Sequence, residues 1–220
     1  DIPTIKNIVI NDNINLYFDL ISKYKPKKMK SYGNKIVGTI SQITINKNNL
    51  NKFLRFRKET KIIYDLFMNT LNSDEYIEIK NCNLVQIMEG MYKTLINSNV
   101  QLYSILNNCF NYSKASKKIL SRRDKRKISV NNKIDTPIFL YKAKNHRNYL
   151  SHLNVQEEKN VFYNLENPYA FWKLSLCIRL FILEYLRIDY NINNVIKCVI
   201  DINDWAVQRK IRFSSKKNKK

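Results

Sequence analysis

The sequence predicts an all-α fold, and three observations predict it. Only three Gly and four Pro punctuate 220 residues, too few for the many tight turns of a β-fold of this length. From about Asn49 onward, apolar residues recur at three- and four-residue spacing, the period of a buried helix face. A chain of 26.3 kDa is also long enough to bury one sizeable core, so these helices can form a single bundle.

Residues 1–12 alternate loosely through Ile2, Ile5, Ile8 and Ile10, the pattern of a strand or a linker. Residues 15–24 place Leu16, Phe18, Leu20 and Ile21 in a short helix, which the lysine-rich run 23–30 with Pro26 ends. Gly33 and Gly38 mark a loop. Residues 39–45 are rich in β-branched side chains and suit a short strand and an isoleucine-packed helix alike. Leu50, Phe53, Leu54, Ile62, Ile63, Leu66, Phe67 and Leu71 then predict a helix or a broken helix. The stretch 82–96 predicts another, with Leu84, Val85, Met88, Met91, Tyr92 and Leu95 as its stripe. Glu89 falls beside that stripe, either solvated or serving as a polar support turned toward the core.

Between residues 112 and 132 the chain turns polar and basic, with Lys114, Lys117, Lys118, Arg122, Arg123, Lys125, Arg126 and Lys127. This is either a solvated helix end and loop or a patch that tracks phosphates without reading bases. Thr136 is a fitting cap and Pro137 fits a first helical position, opening a helix with Phe139, Leu140, Ala143, Leu150 and Leu153 on it. Residues 169–186 form the most apolar stretch. It contains Lys173, Arg179 and Glu184, costly in hydrocarbon, which makes it a buried helix and not a membrane span. A short closing helix is expected near 194–201. The expected division is an N-terminal helical extension or linker over 1–74, a main domain over 75–202 and a basic tail over 203–220.

Charge narrows the partner. Thirty-nine Lys and Arg against 18 Asp and Glu give a formal +21, which attracts polyanions; no membrane span is expected, so nucleic acid is the favoured partner. Cys82, Cys109, Cys177 and Cys198 lie far apart, without a Cys-x-x-Cys pair or a histidine at zinc-ligand spacing. Buried reduced thiols, no metal, no cofactor and a cytoplasmic location are the expectations that follow.

The chemistry concentrates in Lys144-Asn145-His146-Arg147-Asn148-Tyr149-Leu150-Ser151-His152. Arginine offers a permanently charged fork that fits phosphate oxygens, and histidine moves protons near neutral pH. On a helix, Asn148 and His152 share a face, whereas Arg147 and His152 lie about 140° apart, so the arginine reaches around on its long stem. Arg147, Asn148 and His152 are therefore the candidate catalytic residues. Glu89 and the flanking His146 are candidate supports. Lys142 and Lys144, with Arg122, Arg123, Lys125 and Arg126, are candidate RNA-binding residues.

Arg147-Asn148-Tyr149-Leu150-Ser151-His152 resembles the R-x-x-x-x-H motif of HEPN-domain ribonucleases, including the polar residue directly after the arginine. The order of elements is also similar: the helix with Leu84-Val85-Gln86-Ile87-Met88-Glu89, a basic middle, the motif helix, the apolar helix over 169–186 and a closing helix. The likeness covers roughly residues 75–202 and looks like the ApeA-like abortive-infection branch of anti-phage defence. That branch carries an N-terminal sensing region, for which 1–74 leaves little room, so either that region is unusually small or a regulatory or sensing domain or partner lies outside this chain. The resemblance implies a helical bundle that forms a homodimer with a composite active site and cuts RNA without a metal. Carried over residue by residue, Arg147 would hold the scissile phosphate, His152 would act as general acid or base, and Asn148 would fix either by hydrogen bonding. Two copies would supply two histidines and two arginines, and the helix over 169–186 would serve either the dimer interface or the bundle centre. The competing expectations are a HEPN-like RNA-binding module that does not cleave, a toxin held silent by a partner, and a helical DNA-binding or structural protein.

Overall fold

The computed structural model describes residues 14–15, 44–45, 47–112, 136–152, 158, 160–190, 192–209 and 211. Seven helices account for most of them: α1 (Lys47–Glu59), α2 (Lys61–Asn72), α3 (Ile77–Leu95), α4 (Leu102–Tyr112), α5 (Thr136–His152), α6 (Glu166–Leu186) and α7 (Ile192–Gln208). The fold is all-α. Its described β-structure is one two-residue antiparallel pairing of β1 (Ile14–Asn15) with β2 (Thr44–Ile45), Ile14 opposite Ile45. The strand expected over 39–45 thus meets a partner at its last two residues, and Asn15, expected to open a helix, lies in β1. The remainder of that expected helix, 16–24, and the basic segment 113–135 lie outside the described residues.

The apolar pattern from residue 50 to 71 forms a broken helix because Thr60 interrupts it. Its hydroxyl donates to the Phe56 carbonyl at 2.7 Å, and its φ/ψ of −115°/19° leaves the helical region. Such back-bonding competes with the backbone's own ladder and favours a bend. The two segments fold toward each other, and Phe56 meets Tyr64 edge-on at 5.8 Å between ring centroids.

Helix α3 is the axle of the bundle, with α2, α4, α5 and α6 packed around it. Leu84, Val85, Ile87, Met88 and Met91 are buried along it. Gly90 allows the approach of α2: a Cβ there would stand 3.1 Å from Ile63 Cδ1. Helix α6 is buried on two sides. Tyr169, Ala170, Leu174, Cys177, Ile178 and Phe181 join the main core, while Leu176 and Leu180 pack against Val195 and Val199 of α7. Helix α6 is therefore packed inside the bundle, against the main core on one side and against α7 on the other. It ends where Arg187 adopts a left-handed φ of 56° and Ile188 N–H returns to the Leu183 carbonyl at 2.9 Å.

The core crosses both expected domain boundaries. Phe56, Tyr64, Phe67 and Leu71 belong to the same apolar cluster as α3 to α6, so residues 47–72 are part of the bundle and not an extension of it. At the other end α7 continues to Gln208 and buries Asn203 and Ala206, and Trp205 stacks edge-on against Trp172 at 4.8 Å. The expected tail from 203 therefore begins as packed helix; its apolar Trp205 and Ala206 keep it there. Cys82, Cys109 and Cys177 are buried free thiols, as expected of them, and the Cys198 side chain lies outside the described residues. No described helix is long and apolar enough to cross a membrane.

Candidate active site

Helix α5 carries the motif, and its core stripe explains how the motif is presented. Phe139, Ala143 and His146 fall at i, i+4 and i+7 and are all buried, as are Leu140 and Asn145. That stripe turns Arg147 to the edge of the α3 contact, with its side chain 22% exposed. Asn148 is half-buried beside it, and His152 is exposed at the last residue of the helix.

Four side chains from two helices, Arg147 among them, form one cluster. Arg147 Nη2 donates to Glu89 Oε2 at 2.8 Å, and Nη1 donates to Asn148 Oδ1 at 3.1 Å. Glu89, 15% exposed, also accepts from Lys93 Nζ at 2.7 Å, so one carboxylate ties two cations. Arg147 Nε is buried without a hydrogen-bond partner among the described residues. Glu89, a candidate support, thus contacts the motif arginine directly, across 58 positions of sequence. Its Lys93 partner was legible as an i, i+4 pair on one helix.

One turn beyond Arg147, a second set of contacts joins the same helices. Gln86 Nε2 donates to Ser151 Oγ at 2.8 Å, and the Cys82 thiol lies 3.5 Å from that hydroxyl and 3.9 Å from the Arg147 carbonyl. Burial pushes the Cys82 thiol upward, outweighing the Ser151 hydrogen bond and the Arg147 charge, so the sulfur stays protonated at neutral pH. Sequence reasoning assigned no role to Gln86 or Ser151. No spacing rule connects positions 65 apart.

Two candidates are engaged within the bundle. His146, expected as a flanking support, is 2% exposed and belongs to the core. Its Nε2 faces the Glu78 carbonyl at 2.9 Å, and Phe162 N–H donates to Nδ1 at 3.4 Å, which fixes a neutral ring with the proton on Nε2. Burial lowers its pKa, more than the Glu78 contact raises it. The signal was present: spacing from Phe139 and Ala143 puts residue 146 on the buried stripe. Lys142, expected at RNA, is bound to both oxygens of Glu166 at 2.8 and 2.7 Å and fastens the start of α6 to α5. A carboxylate already occupies its ammonium. Lys144 is half-buried on the same helix, while Arg122, Arg123, Lys125 and Arg126 lie outside the described residues.

Buried amides lock the frame beneath the motif. Asn81 Nδ2 donates to the carbonyl and Oδ1 of Asn167, and Asn167 Nδ2 donates to Glu78 Oε1 at 3.0 Å. This network, with the His146 latch, holds the α3 N-terminus, α5 and the turn before α6 in one register. Among the described residues, no group of three or more His, Cys, Asp and Glu side chains is placed to hold a metal ion. Comparison with family models, with curated proteins and with solved structures finds no match to this chain.

Proposed function

We propose that this chain is a metal-independent endoribonuclease of HEPN type, acting in anti-phage abortive infection or as a toxin. The observation that carries the reading is the Arg147 guanidinium held by Glu89 and Asn148, on the helix whose last residue is an exposed histidine. A formal charge of +21 supplies the long-range attraction for RNA.

In the proposed reaction the ribose 2′-hydroxyl loses its proton and attacks the adjacent phosphorus in line. The bond from phosphorus to the 5′-oxygen breaks, and that oxygen takes up a proton. The products are a 2′,3′-cyclic phosphate and a 5′-hydroxyl end. Arg147 stabilises the charge on the phosphoryl oxygens, and Asn148 orients the fork. His152 serves one of the two proton transfers. A single copy holds one such histidine, so a homodimer with a composite site would complete the chemistry. The Glu89 contact keeps Arg147 extended in the absence of RNA, and a phosphate would compete with it for the same N–H groups.

The test is cleavage of total cellular RNA by the purified chain in excess chelator, with end-group analysis. Cutting to cyclic-phosphate ends that falls at least about 1000-fold in His152→Ala and Arg147→Ala, with DNA intact, is the expected result. Undiminished cutting by either variant would sink the assignment. A second reading, an RNA-binding module that does not cleave, draws on the same ion pair, because Glu89 already neutralises Arg147. RNA left intact by a verified dimer, together with salt-sensitive RNA binding, would favour it. Growth arrest on expression, relieved by His152→Ala, would instead point to a toxin that a partner holds silent.

A further inference from the structure

His152 is the last residue of α5, and among the described residues nothing hydrogen-bonds its ring. The direction of the imidazole therefore depends on the backbone of the final helical turn. Such turns fray, because their last carbonyls have no partner within the helix. Something must hold this one if the ring is to meet a proton within hydrogen-bond reach, about 3 Å.

The held atom is the hydroxyl of the preceding residue. Ser151 Oγ accepts from Gln86 Nε2 at 2.8 Å and touches the Cys82 sulfur at 3.5 Å. The second amide proton of Gln86 faces the same sulfur at 3.8 Å, which fixes the amide. Gln86 lies three residues before Glu89 on α3, and Ser151 lies four after Arg147 on α5. Helix α3 thus grips α5 at two successive turns, Arg147 through Glu89 and Ser151 through Gln86, both at 2.8 Å. The first grip sets the phosphate-binding group and the second sets the residue bonded to the histidine.

We infer that Gln86 and Ser151 form a positioning clamp that orients His152 for proton transfer. The inference deepens the ribonuclease reading and rests on it for the catalytic consequence, while the ordering of His152 is independent of it. Neither residue touches the substrate; both act through the last turn of α5. Gln86 reaches Ser151 at the surface of the bundle, so Gln86→Leu removes the hydrogen bond without opening the core.

Two measurements on the full chain test the clamp. The first is single-turnover cleavage of a short RNA by Gln86→Leu, Ser151→Ala, Ser151→Thr and the Gln86→Leu/Ser151→Ala double variant. Gln86→Leu and Ser151→Ala should lower kcat on the order of 100-fold with KM nearly unchanged. Ser151→Thr should restore most of the rate, and the double variant should be no slower than either single one. Unchanged kcat, or independent losses that multiply in the double variant, would overturn the inference. The second is histidine-ring NMR, with two resonances to assign because the chain has two histidines. In Gln86→Leu the His152 signal should narrow and shift toward an unstructured ring, while the buried His146 signal stays put and certifies the fold. An unaltered His152 signal would overturn the clamp. Wild-type protein that leaves RNA intact defeats the ribonuclease reading instead, and the ring signals still decide the clamp.

Discussion

Neighbouring positions on one helix face opposite fates. His146 and Arg147 are adjacent, yet the first is sealed in the core with both ring nitrogens engaged, and the second sits at the edge with its charge shared between Glu89 and Asn148. A rotation of 100° per residue is enough to separate them. The burial of His146 links it to stability. Its pKa is lowered in the fold from an unfolded value of about 6.5, so the unfolded chain takes up the proton first as pH falls. Its contribution is therefore complete above 6.5 and is lost as pH falls from there through the lower folded value. Thermal unfolding followed across that range should show Tm declining with acidity, and His146→Gln should flatten the decline. A decline of equal steepness in the variant would assign the effect elsewhere.

Helix α3 sets the geometry of everything it touches, and the element that allows this is its single glycine. Gly90 lets Ile63 of α2 come within 3.1 Å of where a Cβ would stand, next to the Glu89 that holds Arg147. Alanine there would gain helix propensity, about 1 kcal/mol, but press on the end of a flexible isoleucine, so Gly90→Ala should change stability little. Valine adds branched bulk that Ile63 cannot clear. Gly90→Val should cost about 2 kcal/mol in urea unfolding by overpacking. A cost near zero would mean that α2 moves freely over α3. Helix α6 carries a different burden. Lys173 points its ammonium at Tyr169 Oη, 2.7 Å away, and over the Phe139 and Tyr169 rings, and burial pushes its pKa down to about 8. Tyr169 in turn donates to Asn203 of α7 at 3.0 Å, so a polar thread stitches the bundle centre to its last helix.

For the molecule as a whole, one apolar cluster runs from Phe56 to Ile211, and a core shared in this way favours cooperative unfolding. Phe56 lies 6.0 Å from Tyr185 between ring centroids, across most of the sequence. A chain beginning at residue 75 would lack Phe56, Tyr64, Phe67 and Leu71 of this cluster and uncover Tyr185, and it should show no cooperative near-ultraviolet melting. A sharp transition at the Tm of the full chain would favour the expectation of 1–74 as an extension or linker. Charge also acts at this scale: the described cations of the motif region are largely paired, Lys93 and Arg147 with Glu89 and Lys142 with Glu166. The long-range field therefore rests on the overall excess of +21 and not on those groups.

The helical class, the helices numbered α1 to α3 and α5 to α7 and the burial of α6 were legible from spacing and punctuation alone, because a helix writes its buried face into the chain every three or four residues; α4 was not read, and whether residues 50–71 were one helix or a broken one stayed open. That logic singled out Glu89 as a neighbour of an apolar stripe, whereas Arg147, Asn148 and His152 were singled out by side-chain chemistry and by the resemblance of their motif. It stopped short at the ends: a terminal helix is extended or cut by what it packs against, as Trp172 does for Trp205 and Tyr169 does for Asn203. Only the tertiary structure decided which charges were already paired and that Gln86 meets Ser151. Those facts depend on how two helices are rotated against each other, a rotation set by the whole interface and by no single stretch of sequence.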